Sequence, residues 1–323
     1  MILETVERAQ VCTGRSVTEI LAGLDLSSAT YYRWKARARQ GLLKDQVVVP
    51  RRQGLPLMPE EEAAVRAFAL AHPAMGYKRL AWLMVDQDVA YVRPYQVYAT
   101  LGQQGLLARR PQHPAEALKR PLEPDHPDQV WHLDLMYLYI RPRWYYLVDI
   151  LDGYSRFLVH WSLNLTLGAE TVTLTVQEAL DGLSGRRPWE PKLVHDHGSQ
   201  FVSGEWRALV EAAAVTDIKT RVHHPESNGL VERLHRTHRE EGLTGETPTD
   251  YYQALETMVS WSHYYNFGRP HSALKYLYPV DYYRGDPATR LAEREEKLAQ
   301  AAESRRVYWQ AYANVKEQCD DPL

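Results

Sequence analysis

Between residues 111 and 128 the chain reads PQHPAEALKRPLEPDHPD, with five prolines and no apolar periodicity. Each proline removes a backbone donor and disfavours helical geometry in the residue before it. No regular element is expected to cross this stretch, which reads as a linker between separate structures. The two sides differ in charge. Residues 1–120 hold 17 Lys and Arg against 11 Asp and Glu, a net of +6; residues 121–323 hold 21 against 30, a net of −9. The overall net charge of −3 therefore conceals a basic leader and an acidic remainder, an asymmetry that suggests two different tasks.

Several classes of function are excluded early. No apolar run approaches the roughly 18 residues of a membrane span, so no membrane partner is expected. The opening MILETVERAQ has no apolar signal region, and the expected compartment is the cytoplasm. Only Cys12 and Cys319 are present, too few for a disulfide framework or a thiolate-rich zinc site. There is no Walker A loop, dinucleotide glycine fingerprint or Gly-x-Ser-x-Gly elbow, and no His-Glu-x-x-His zinc motif. His235 and His238 stand three apart without a third ligand nearby in sequence. They are expected to contact phosphate or to support other site groups.

The leader reads as two helical domains. In residues 1–44, Ser16-Val17-Thr18-Glu19 is a capping box that opens a short helix. After the turn Leu24-Asp25-Leu26, Ser27 or Ser28 caps a second helix from Ala29 to about Gln40. That helix interleaves Arg33, Lys35, Arg37 and Arg39 with Tyr31, Tyr32 and Trp34. Helix, short turn and basic aromatic helix is the pattern of a helix-turn-helix DNA reader. Residues 45–58 read as a linker. Residues 59–110 give three further helices, from Glu60-Glu61-Glu62, from Tyr77-Lys78-Arg79-Leu80 and from Arg93, ending in Arg109-Arg110. This second domain reads as a scaffold or a second DNA reader, with Lys78 and Arg79 as its candidate contacts.

After the linker the character changes. Val130–Ile140, Trp144–Leu151 and Arg156–Leu163 read as three strands on short turns. A helix (Ala169–Leu180), a short buried strand (Lys192–His195), a helix (Ser203–Ala214), a strand (Asp217–Val222) and a helix (Ser227–Glu241) follow. The order βββαβαβα is that of the ribonuclease-H-like fold, a mixed five-stranded sheet with flanking helices, and is assigned to residues 129–285. Helices at 250–265 and 288–317 complete the chain. The last, within 286–323, is highly charged and reads as solvated or packed on a partner. The aromatic residues are read as core rather than as platforms for bases.

Three acids sit where chemistry could be assembled. Asp134 lies mid-strand in Trp131-His132-Leu133-Asp134-Leu135, where an acid is expensive unless compensated. Asp196 follows Leu193-Val194-His195 at the carboxyl end of its strand, where ligand sites of α/β sheets gather. Glu232 lies one turn into the helix opened by Ser227-Asn228-Gly229. The intervening lengths are 61 and 35 residues. Phosphodiester transfer uses one metal to activate the attacking oxygen and another to stabilise the leaving oxygen, about 3.5–4 Å apart. Carboxylates are the ligands magnesium prefers. Asp149, Asp152 and Asp217 are read as ordinary acids and left outside the set. Gly198 and Gly229 are read as allowing close backbone turns beside it.

The text around each acid matches a known pattern: Trp131-His132-Leu133-Asp134, His195-Asp196-His197-Gly198-Ser199-Gln200-Phe201, and His224-Pro225-Glu226-Ser227-Asn228-Gly229-Leu230-Val231-Glu232-Arg233. With the 35-residue last interval, the triad resembles the Asp-Asp-Glu signature of retroviral-integrase-like transposases. In that family a basic residue follows the Glu by seven positions, and here it is Arg239. Tyr265-Asn266, Arg269-Pro270-His271-Ser272-Ala273-Leu274 and Pro279 resemble the tail of the family's catalytic domain. Upstream, Ala29-Thr30-Tyr31-Tyr32-Arg33-Trp34 and Gly76-Tyr77-Lys78-Arg79-Leu80 resemble the helical leader of insertion-sequence transposases of the OrfB type. The resemblance spans about residues 16–283. A retroviral His/Cys zinc module is missing, since that region holds a single cysteine.

The resemblance implies a DNA transposase or integrase. Asp134, Asp196 and Glu232 would be both catalytic and metal-holding, with two Mg²⁺ ions that Mn²⁺ could replace. The helix-turn-helix region would recognise the element ends. Asn228, Arg239 and Arg269 would join Arg33, Lys35, Arg37, Arg39, Lys78 and Arg79 in contacting DNA. The implied partners are double-stranded DNA (element ends and target) and further copies of the chain in a synaptic complex; proteins of the OrfB type often work with a separate upstream protein as well. A nuclease on the same core, or a catalytically silent DNA-binding regulator, remain alternatives.

Overall fold

The computed structural model describes residues 2–39, 41, 54–107, 123–140, 142–183, 190–220, 229–242 and 248–319. Most of the two linkers, Arg109-Arg110 and Asn228 lie outside the described residues. The chain divides into two compact units, Met1–Gly54 and Leu55–Leu323.

The first unit holds α1 (Ile2–Thr13), α2 (Val17–Gly23) and α3 (Ser28–Arg39). The capping box forms as read: Ser16 N–H donates to Glu19 Oε2 at 2.9 Å, and Glu19 N–H to Ser16 Oγ at 3.3 Å. Ser27 Oγ accepts from Thr30 N–H and starts α3. Asp25 takes a positive φ of 52° in the turn between α2 and α3, a conformation that Asp tolerates better than most residues. The core is small: Val6, Leu21 and Tyr31 are buried, with Leu3, Val17, Ile20 and Leu26 around them.

The second unit contains both the trihelical segment and the sheet. Helices α4 (Pro59–Ala71), α5 (Tyr77–Asp86) and α6 (Pro94–Gln103) close on Leu57, Val65, Leu80, Met84, Val92, Val97 and Leu101. The sheet follows: β1 (Val130–Ile140), β2 (Arg143–Asp152), β3 (Leu158–Asn164), α7 (Ala169–Asp181), β4 (Lys192–His195), α8 (Gly204–Ala212) and β5 (Thr216–Lys219). Its order is β3-β2-β1-β4-β5. The first three strands are antiparallel, and β4 and β5 run parallel to β1. This is the mixed five-stranded, ribonuclease-H-like arrangement. Strand β3 begins at Leu158 rather than Arg156 because Arg156 takes a φ of 62°. The turn before it is closed by Asp152, whose Oδ2 accepts from Ser155 N–H and Oγ–H.

The pleat sorts β1 into two faces, because successive side chains point to opposite sides. Trp131 and Leu133 pack with Val148 and Ile150 under α7 and α8. Met136, Leu138 and Ile140 pack with Leu147 and Leu151 under α9 (Gly229–Thr237) and α10 (Tyr251–Phe267). By that alternation Asp134 and Asp149 belong to the α9–α10 face. Helix α9 ends in a wider turn, His238–Gly242. A short helix α11 (Pro279–Tyr283) precedes the long α12 (Pro287–Cys319).

Helix α12 is not merely solvated. Arg294 donates to both oxygens of Asp86, at 2.8 and 2.6 Å, and also to Lys275 O and Tyr276 O. Arg305 makes a two-pronged contact with Glu61, at 2.7 and 2.8 Å, and reaches Tyr91 O. Trp309 Nε1–H donates to Pro56 O. A side of the last helix is thus fastened to the trihelical segment. Among the described residues, no helix is long and apolar enough to cross a membrane.

Candidate active site

Parallel pairing of β1 with β4 ends at His132 opposite Val194. Asp134 and Asp196 each lie two residues beyond that pair: Asp196 just past the end of β4, and Asp134 within β1, which runs on to Ile140 paired with β2. Asp134 is mostly buried, with 16% of its side chain exposed. Its Oδ1 accepts from Leu135 N–H at 2.9 Å. Burial pushes its carboxyl above the usual range, and the charges of Asp196 and Asp149 add to the push; His235 and the Leu135 N–H oppose it. The two aspartates therefore feel each other electrostatically.

Asp196 is half-buried, and its Oδ1 accepts from Gly198 N–H at 2.9 Å. The residue before it is braced. His195 is fully buried, stacks on Phe201 at 3.9 Å and lies 2.5 Å from Asp217 Oδ1 through Nε2. Its Nδ1 lies 2.6 Å from the Asp196 carbonyl oxygen. Asp217, read as an ordinary acid, thus helps fix the chain at Asp196. A Cβ on Gly198 would drive into the Gln200 side chain, whereas Gly229 faces open space. A side chain at the first position would have to displace the end of Gln200, and contact at the second imposes nothing.

Glu232 stands exposed on α9, one turn before His235. Residues three apart on a helix are surface neighbours, and His235 Nδ1 lies 3.5 Å from Asp134 Oδ2. The helix of the third acid is thus seated against the first. Among the described residues no group of three His, Cys, Asp or Glu stands ready to hold one ion; the structure brings the two aspartates near each other and leaves Glu232 on the adjoining helix.

Asp149 is the residue that sequence reasoning passed over. It is the cross-strand partner of Asp134 and has no exposed surface. His235 Nε2 and His238 Nε2 both approach its Oδ2 at 3.3 Å. Burial alone would raise its carboxyl, yet the two imidazoles hold it at about 2. His235 responds in the opposite sense. Burial lowers it, but Asp149 and Asp134 together carry it above the ordinary histidine value. Trp261 of α10 stacks on His238 at 3.7 Å. The signal was present in the sequence: an acid inside an apolar strand, the criterion that singled out Asp134, and two histidines spaced one helical turn apart.

The basic residues fall into two groups. On α3, Arg33 and Arg39 are exposed, Arg37 is half-buried, and Lys35 pairs with Glu7 at 2.9 Å. Lys78 on α5 and Arg239 beyond α9 are also exposed. Arg269 is instead buried and fastened to Glu241 by contacts of 2.6 and 2.8 Å. Arg79 reaches the same carboxylate at 3.2 Å. These two guanidinium groups, expected at DNA, face Glu241 and tie α5 to the end of α9.

The family model of the integrase core domain matches residues 124–225, and a second integrase core domain model matches residues 214–279. The chain is 26% identical over 228 residues to the uncharacterized 31.7 kDa protein of insertion element IS407 from Burkholderia multivorans, covering 69% of this chain and 80% of that one. It is 30% identical over 140 residues to the transposase InsD of insertion element IS2D from Escherichia coli K12, covering 42% of this chain and 46% of that protein. Among solved structures, the catalytic core domain of HTLV-2 integrase in complex with magnesium is similar at 14% identity and a TM-score of 0.41, over 50% of this chain and 100% of that one. Residues 124–279 of this chain are accordingly an integrase core domain, of the kind carried by insertion-element proteins of the OrfB type.

Proposed function

We propose that this protein is a DNA transposase that binds the ends of its element, cuts a strand there and joins the freed 3′-hydroxyl to target DNA. The observation that carries this reading is the placement of Asp134 within β1 and of Asp196 just past β4, each two residues beyond the last β1–β4 pair, with the Glu232 helix seated against Asp134 through His235. Burial and the nearby Asp196 charge disfavour a bare anion at Asp134. Such a pair of carboxylates is stabilised by a divalent cation, and an all-oxygen donor set suits Mg²⁺, with Mn²⁺ as a substitute. Asp134 and Asp196 would hold two such ions, with Glu232 completing the set. Bound there, the ions supply Lewis acidity to the attacking and leaving oxygens.

The reaction balances without a nucleotide. In the first step water attacks a phosphorus and the P–O3′ bond breaks, leaving a 3′-hydroxyl and a 5′-phosphate. In the second, that 3′-hydroxyl oxygen attacks a target phosphodiester, so that one P–O bond forms as another breaks. The chain's own part is to position. The Leu135 N–H and His235 fix Asp134, and Gly198 N–H fixes Asp196. The exposed Arg33 and Arg39 of α3, with Lys35 and Arg37 beside them, would grip the element ends; Asn228, Arg239 and Lys78 would meet DNA nearer the chemistry. Arg79 and Arg269 would act through Glu241 rather than on phosphate. Joining two ends requires further copies of the chain in a synaptic complex, and an upstream partner protein would act at that stage.

Labelled element ends incubated with Mg²⁺ or Mn²⁺ and a target plasmid test this reading. Joined products are expected. Cleavage without joining would point to a nuclease, and retention without cleavage to a regulator. Asp196→Asn is expected to abolish cleavage and joining while end binding persists; a variant that still joined strands would remove Asp196 from the site.

A further inference from the structure

Asp149 has no part in the chemistry above, yet it sits without exposed surface in the apolar layer between the sheet and α9–α10, among Leu147, Leu151, Leu234 and Trp261. A buried carboxylate is costly unless compensated. Here two imidazoles from neighbouring turns compensate it, each at 3.3 Å from the same oxygen. As a stabilising device this is a poor choice, since well-packed apolar side chains in place of a buried ionic cluster are often as stable or more so. What apolar side chains would not provide is direction. The ring of His235 lies between the two carboxylates, with Nε2 3.3 Å from Asp149 Oδ2 and Nδ1 3.5 Å from Asp134 Oδ2. The other oxygen of Asp134 is already taken by the Leu135 N–H. One oxygen of that carboxylate is thus held by a backbone donor, and the other faces the His235 ring. His235 is also three residues beyond Glu232 on α9, so the same ring sets the seat of that helix on β1 and β2.

We propose that Asp149 and His235 are positioning residues for the carboxylate site: they orient Asp134, hold the Glu232 helix in register with it, and thereby set the affinity of the site for a divalent cation. His238, pinned by Trp261, is the second brace on Asp149. The proposal rests on the transposase reading, because it takes Asp134 as a metal-holding group.

The test is Mn²⁺ binding to the full chain without DNA, followed by electron paramagnetic resonance of the free ion, beside strand-cleavage kcat, element-end Kd and Tm. Asp149→Asn is expected to weaken Mn²⁺ binding and lower kcat by about 10- to 100-fold, the usual range for groups behind a metal ligand, with Kd for DNA ends unchanged. An apolar replacement, Asp149→Leu with His235→Phe and His238→Leu, is expected to regain the wild-type Tm yet keep the weak Mn²⁺ binding. If that triple variant binds Mn²⁺ as the wild type does, the cluster is packing and the proposal is overturned. Should Asp149→Asn fail to fold, the triple variant alone decides. Asp134→Asn in the same titration separates the two readings. If it leaves Mn²⁺ binding intact, the metal-holding role of Asp134 falls and the positioning role with it. If it weakens binding while the triple variant does not, only the positioning role is lost.

Discussion

The chain contains two trihelical segments that look alike in sequence and differ in how they use their arginines. In the first unit α1–α3 close on a small core, and the basic side chains of α3 stay at its surface, with Arg33 and Arg39 exposed. The second segment, α4–α6, belongs to the compact unit that holds the sheet. Its acids are taken by α12: Asp86 by Arg294 and Glu61 by Arg305. Its Arg79 is engaged by Glu241, which Arg269 also holds. Arginines on similar helical segments thus become an open surface in one case and internal fastening in the other. A guanidinium that already satisfies a partly buried carboxylate is a costly one to redirect to phosphate, because its partner would lose a charge-assisted bond.

The contrast can be broken at several points. The largest effect is expected from Arg294→Ala, which strips Asp86, only 5% exposed, of its two-pronged partner. Removing one member of a buried pair costs about 3–5 kcal/mol, so the urea midpoint of the Leu55–Leu323 unit should fall sharply. An unchanged midpoint would mean that α12 is not fastened to α4–α6.

A smaller, pH-confined loss is expected from His271, in the same unit. Burial, aided by the Arg269 charge, pushes this imidazole down to about 3. Its folded value lies below its unfolded one, so the unfolded chain takes up the proton first. Stability is therefore full above about pH 6.5 and is lost as pH falls toward 3. By this linkage about 2 kcal/mol of that stability is already lost at pH 5. In urea melts wild type should gain about 2 kcal/mol relative to His271→Leu as pH rises from 5 to 7; parallel curves would refute the neutral, buried state. The first unit, Met1–Gly54, contains no histidine, so its melt should lack any such step.

The smallest effect concerns DNA. Arg33→Ala should weaken binding to element ends and reduce the salt slope by about 1, as loss of a phosphate contact does. Arg79→Ala should leave that slope unaltered and lower stability instead. If the two variants flatten the slope equally, the distinction between the segments is gone.

Much of this architecture was legible beforehand because it is written in short-range patterns. The capping box at Ser16–Glu19, the three strands from Val130 and the βαβα continuation depend on neighbours a few residues apart, and each formed close to where it was read. The positions of Asp134 within β1 and of Asp196 just past β4 follow from the same order of elements. What such patterns leave out has long-range causes. Asp149 was set aside because nothing within its own strand shows what will face it. Its partners His235 and His238 arrive from a helix that crosses the sheet much later in the chain. Arg269 was read as a DNA contact because an arginine near a catalytic tail looks available until Glu241 is seen beside it. The charge of α12 leaves solvent and a packing partner both open, since charge spacing along a helix does not reveal which side is buried.

The sequence by itself determined the elements, their order, the ribonuclease-H-like sheet and the motifs around its acids, because propensity, capping and alternation act over a turn or a strand. The tertiary structure alone decided which charges meet. It turned Asp149 and His235 toward Asp134 and spent Arg79, Arg269, Arg294 and Arg305 on internal carboxylates. A buried charge must find its compensation in space, and the groups that supply it come from elements that only packing brings together.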